Sequence, residues 1–174
     1  MESKAKLFGH AIHPILIVFP LGLLATAVVF DGAYLATNNR TLEIVAYWMI
    51  VAGVVGGLAA SIFGWVDWFA IPEGTRAKQI GLLHGVGNVV VLFLFIASWW
   101  IRRSAPTAPA MTAHVFSFAG AALALITGWL GGELVERLGV GVDPGAHLNA
   151  PSSLSNRPVS ETVRPHSNTV ADRP

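Results

Sequence analysis

The chain has no cysteine among its 174 residues, and only 12% of them are charged. The first absence excludes disulfides, thiol catalysis, iron–sulfur ligation and cysteine-type zinc sites. The second sets the chain apart from ordinary soluble domains, where about 25% of residues carry charge. A net charge of +1 argues against nucleic-acid partners, which require a concentrated basic face. No arrangement of nucleophile and base is visible either, so the sequence favours an electron-transfer or structural role over catalysis.

What is present is apolar. Hydrophobic residues make up 53% of the chain and fall in long blocks rather than in alternation. A hydrocarbon core of about 30 Å needs about 20 helical residues to cross it, and four blocks are long enough. They run over about 14–36, 44–70, 80–101 and 110–130. The expected fold is all-α, an up-down bundle of four transmembrane helices in a lipid bilayer. The first block exceeds the ~7–15 apolar residues of a signal peptide and is read as an uncleaved span. Pro14 suits its first turn, whereas Pro20 lies deeper and should kink it. In the second block Gly53, Gly57, Ser61 and Gly64 line up one small-residue face, on which another helix can approach closely. Trp65, Trp68, Trp99, Trp100 and Trp129 stand near span ends, as an interfacial aromatic belt requires.

From residue 143 the composition changes. The segment 143–174 has no aromatic residue and repeated prolines, with Pro144, Pro151, Pro158 and Pro165 seven apart. Such a segment cannot bury enough apolar surface to offset its ordering entropy. The chain therefore divides into a four-span membrane domain, 1–142, and a polar, flexible tail that is a candidate contact for partner subunits. Four spans put both termini on one face. Lys4, Lys6, Arg76, Lys78 and Arg137 lie near that face, against Arg40, Arg102 and Arg103 on the other. This bias places the termini in the cytoplasm of a multi-pass bacterial inner-membrane protein.

Antiparallel threading then sorts the polar residues by depth. "GHAIHP" brings His10 and His13 to the terminal end of span 1, and "GLLHGVGN" brings His84 to the same level in span 3. Span 2 returns Asp67 to that level and span 4 returns Glu133. Ionisable groups in a membrane are costly and point to function. Gly81, Gly85 and Gly87 surround His84, and glycine in a helix interior costs about 1 kcal/mol against alanine. Something flat or bulky should therefore approach the backbone there, either a helix or a porphyrin. Helices 1 and 3 are diagonal in such a bundle, with axes roughly 12–14 Å apart. That gap suits two histidines reaching the axial positions of one haem, with Arg76, Lys78, Lys4 and Lys6 available to its propionates. The rival is a compact metal site, for which His10, His13, His84 and Asp67 are plausible nitrogen and oxygen ligands to zinc, copper or iron. At the far end Asp31 and His114 should be neighbours, because spans 1 and 4 are adjacent.

The stretches "GHAIHPILIVFPLGLL", "GWVDW", "IPEGT", "LLHGVGN" and "GWLGGELVERLGVGV" together resemble the bacterial membrane family known as DUF2231, over about residues 8–142. The resemblance implies a compact four-span protein. Some relatives joined to Rieske or cytochrome-c-like modules imply electron transfer. His10, His13, Asp67 and His84 fall on the family's GHxxHP, aspartate and LH patterns. Many relatives have a histidine where this chain has Val18, which lessens the case for a multinuclear metal site. The leading reading is a b-type haem held by His13 and His84, with Asp67 and His10 fixing an imidazole or a propionate, in a subunit or accessory of a redox complex. The alternatives are a cofactor-free structural or assembly subunit, and a His/Asp metal-binding protein or transporter.

Overall fold

A computed structural model describes residues 1–163. Its four long helices are α1 (Ile12–Thr37), α2 (Arg40–Ala70), α3 (Arg76–Arg102) and α4 (Met111–Gly132), each long and apolar enough to span a membrane. A single π turn, Glu133–Arg137, extends α4. Two short strands, β1 (Lys6–Leu7) and β2 (His10–Ala11), pair antiparallel ahead of α1. Their two-residue turn, Phe8–Gly9, has φ of 51° and 82°. Two positive φ values are what a tight hairpin requires, and Gly9 adopts its own without strain.

The helix ends follow from local chemistry. Asn38 closes α1 in the left-handed region at φ 56°, its N–H donating to Tyr34 O at 2.7 Å, and Asn39 caps α2 by accepting from Thr41 N. Two residues thus turn the chain from α1 into α2. Thr75 caps α3 through Lys78 N. Pro20 stays inside α1 without ending it.

α1 packs chiefly on α2 and α3 chiefly on α4, and the two hairpins close on each other through α2–α3 and α1–α4. The hairpins repeat one register. On α1 the buried positions are Pro20, Leu24, Ala27 and Asp31; on α3, Val91, Phe95, Ser98 and Arg102 are buried, each 71 positions later. On α2 and α4, Ala46, Ile50, Gly53 and Ala60 correspond to Ala113, Ser117, Gly120 and Thr127, each 67 positions later. Contacts repeat as well. A Cβ on Gly53 would lie 2.6 Å from Leu24, and one on Gly120 would lie 2.9 Å from Phe95. Leu24, Ala27, Ala46, Ile50, Val91 and Phe95 form the apolar centre. Without glycine at 53 and 120 these helices could not approach so closely.

At the end opposite the termini the core is ionic. Arg102 is fully buried and donates through Nη1 to Asp31 Oδ1 and Glu43 Oε2, both at 2.8 Å. Its Nη2 reaches Asp31 Oδ2 at 2.6 Å, and its Nε reaches Ser98 Oγ at 3.1 Å. Ser117 donates to Asp31, and His114 Nε2 lies 2.8 Å from Glu43 Oε1. One guanidinium therefore ties α1, α2 and α3 together, and Ser117 and His114 bring in α4. This corrects the sequence reading of Arg102 as an interfacial charge that merely ends a span. The expected nearness of Asp31 and His114 holds, inside a cluster that also contains Glu43 and Arg102.

Residues 143–163 contain no helix or strand, and their turns rest on the amino-terminal strands. Lys6 Nζ donates to Asp143, which raises the lysine above its ordinary pKa, chiefly through that hydrogen bond. Ser153 Oγ lies 3.1 Å from His10 Nε2, and the Met1 ammonium donates to Gly139 O at 2.7 Å. Pro165, the last of the spaced prolines, lies outside the described residues.

Candidate functional site

His13 is the second residue of α1 and His84 the ninth of α3, so helix geometry holds both at the terminal end of the bundle. They occupy equivalent positions, 71 residues apart, in the repeated register. His13 Nδ1 lies 2.9 Å from Ala60 O on α2, and His84 Nδ1 lies 2.8 Å from Thr127 O on α4. Ala60 and Thr127 are themselves equivalent. A carbonyl only accepts, so each Nδ1 carries the hydrogen and each Nε2 keeps a lone pair. Gly64 and Gly131 seat the rings: a Cβ on either would come within 3.0 Å of His13 or His84 respectively.

The two imidazoles meet edge to face between the hairpins, with ring centroids 6.4 Å apart and planes at 86°. Both are half-buried. Asn88 Nδ2 leans on the His84 ring at 3.3 Å from Nε2 and 3.4 Å from Nδ1. Near-equal distances to both nitrogens do not describe a bond along either lone pair. The amide is committed elsewhere, donating to His84 O at 2.8 Å while its Oδ1 accepts from Thr127 Oγ1 at 3.0 Å.

Other residues that the sequence assigned to this layer are engaged differently. Asp67 accepts from Ser3 Oγ at 2.8 Å and from Lys4 N at 2.7 Å, anchoring the amino-terminal segment on α2. The tautomer-fixing role expected of it falls to the carbonyls of Ala60 and Thr127. His10 is exposed on β2 and pairs with Ser153, so His10, His13, His84 and Asp67 do not form one ligand set. Gly81 and Gly85 make room for indoles rather than for a cofactor: would-be Cβ atoms meet Trp68 at 2.8 Å and Trp65 at 3.4 Å. Arg76 donates to Glu133 Oε1 at 2.6 Å. Lys78 is buried; its Nζ donates to Trp68 O and Ile71 O and pairs with Glu73 at 3.0 Å. Lys78 is thereby fully engaged, whereas Arg76 keeps the rest of its guanidinium exposed. The carbonyls of Ala60 and Thr127 carry no signal in the sequence, although Gly64 already stood in the small-residue face of span 2.

A family model described as "Predicted membrane protein (DUF2231)" matches residues 9–144. Over 105 residues the chain is 34% identical to a Klebsiella pneumoniae protein named Na(+)/H(+) antiporter NhaA 1, an alignment covering 53% of this chain and 26% of that protein. The chain thus spans about a quarter of that relative's length. No solved structure matches.

Proposed function

The chain belongs to the DUF2231 family of membrane proteins, and from that premise we propose that its two hairpins hold one b-type haem between His13 and His84 for electron transfer. The observation that carries this reading is the pair of imidazoles at 6.4 Å, each with Nδ1 tied to a carbonyl of its own hairpin. With both Nδ1 atoms tied to carbonyls, Nε2 is the nitrogen that each imidazole would offer to a metal ion. Hydrogen-bonding the distal ring nitrogen to a carbonyl is also how proteins orient metal-bound histidine and raise its basicity.

A bound haem supplies reversible one-electron chemistry. The residues of this chain do the rest. His13 and His84 offer Nε2, Ala60 O and Thr127 O fix their tautomers, and Gly64 and Gly131 leave the rings space to lie flat on α2 and α4. Apolar helix faces around the pair keep water away and tune the potential. With Arg102 and Lys78 buried, the cations that flank the spans are Lys4, Lys6, Arg76 and Arg137 on the terminal side against Arg40 and Arg103 opposite. On that bias we place the termini in the cytoplasm of a bacterial inner membrane. Redox subunits that exchange electrons with the pair would meet the terminal face, where the tail is also available for contact.

The test is a reduced-minus-oxidised spectrum of the purified full-length protein, expressed with ample haem. A low-spin b-type spectrum that disappears in both His13→Ala and His84→Ala supports the reading. A folded wild-type protein that stays colourless overturns it in favour of a cofactor-free bundle, and metal analysis of that sample decides the zinc, copper or iron alternative.

A further inference from the structure

The ionic cluster at the opposite end contains what the repeat does not explain. Glu43 on α2 corresponds to Ala110, which lies outside α4, and His114 on α4 corresponds to Tyr47, which is not among the buried residues of α2. These two departures from the register are bonded to each other, Nε2 to Oε1 at 2.8 Å, and both are buried. From this geometry we infer that the Glu43–His114 pair is a proton-binding site, taking up one proton at His114 Nδ1 from the aqueous phase opposite the termini. The inference does not depend on the reading of His13 and His84.

Two independent observations carry it. The first is charge. Facing His114 are Asp31 and Tyr34 from α1, Glu43 from α2 and Arg102 from α3. Two carboxylates stand against one guanidinium, all three at 0% side-chain exposure. The cluster is therefore one positive charge short of neutrality, and an uncompensated charge in a buried, membrane-embedded site is strongly unfavourable. A metal ion does not supply that charge, because the guanidinium already occupies the space between the carboxylates, bonded to both.

The second observation is an unused lone pair. Every charged atom of the cluster has a hydrogen-bond partner, whereas His114 Nδ1 is buried without one. Because Nε2 lies on a carboxylate oxygen it carries a hydrogen, so Nδ1 is the nitrogen left free to gain one. Protonation there makes the imidazole cationic and neutralises the cluster. It also converts the Glu43 contact into a charge-assisted bond joining α2 to α4. Tyr34 stacks on the ring at 5.8 Å between centroids, with planes 10° apart, and offers a π face to that cation. His114 lies in the first turn of α4, and Glu43 in the first turn of α2. The pair is thus close to the connections that face water on that side.

The experiment is ¹⁵N-histidine NMR on the full-length protein in lipid bilayers, from about pH 9 to about pH 5, the range in which imidazoles switch. The His114 Nδ1 signal, assigned by its loss in His114→Gln, should move from a bare to a protonated nitrogen in one step. Infrared spectra should show no new protonated carboxyl band. Glu43→Gln leaves Asp31 and Arg102 balanced, so the step should disappear. A wild-type Nδ1 that never changes, an uptake that appears on a carboxyl group, or an unaltered step in Glu43→Gln would overturn the inference. Should Glu43→Gln not fold, the wild-type signal and the infrared band still decide between these outcomes.

Discussion

At the terminal end, residues from equivalent positions of the two hairpins approach without bonding. At the other end, residues from equivalent positions are bonded as tightly as side chains allow. His13 and His84 are each satisfied sideways, by a carbonyl of their own hairpin, and meet edge to face, half-buried. Asp31 and Arg102 are fully buried and bonded directly across the centre, with Glu43, Ser98 and Ser117 completing the shell. Along each helix the two levels are 18 residues apart, about 27 Å at 1.5 Å per residue, close to a whole hydrocarbon layer. The contrast separates two uses of a buried polar group. A network of charged groups bonded across the centre fixes how helices pair, whereas imidazoles each tied to a carbonyl of their own hairpin leave that pairing to other contacts.

The comparison breaks most sharply at Arg102. Arg102→Met leaves two carboxylates buried without their partner, and we expect a loss of about 3–5 kcal/mol in unfolding experiments, or no folded protein. Removing both members in Asp31→Leu/Arg102→Met should recover much of that loss. A single variant as stable as wild type would show that the ionic end is not the lock. At the histidine end the pattern should invert. If the pair holds haem as proposed, His13→Ala and His84→Ala should lower its occupancy at least tenfold, read from the visible spectrum. Each should cost the haem-free protein only the about 1 kcal/mol of one hydrogen bond.

A finer test adds one methyl group. Gly64→Ala and Gly131→Ala each place a Cβ 3.0 Å from an imidazole, so each should displace its ring and weaken haem retention several-fold. Because the two sites are equivalent, their effects in a haem-transfer assay should agree; an effect confined to one would make the equivalence superficial. The smallest effects belong to His10→Ala and Asp67→Asn. Neither should alter the spectrum, while Asp67→Asn should loosen residues 1–5 to limited proteolysis through the loss of Ser3 and Lys4.

Long apolar runs made the four helices legible, because a membrane crossing is a matter of length and composition. His13 and His84 were legible because threading alone assigns depth. Arg102 misled, since an arginine after twenty apolar residues reads as the end of a span, and its partners lie 59 and 71 positions away. Asp67 misled for a similar reason: "GWVDW" gives no sign that Ser3, 64 residues earlier, folds back onto it. The repeated register was hidden because its spacing is kept while its side chains differ, as with Leu24 and Phe95 or Ala27 and Ser98.

That duplication bears on recognition between halves. Two identical hairpins pairing about a two-fold axis must place each axial residue against its own copy. Histidine tolerates this where one metal ion accepts two like ligands. Aspartate against aspartate, or arginine against arginine, in a membrane does not. Joining the hairpins in one chain lets the axis carry Asp31 on one side and Arg102 on the other. The central ion pair thus sets unlike charges at a position where a symmetric pair of hairpins would set like ones.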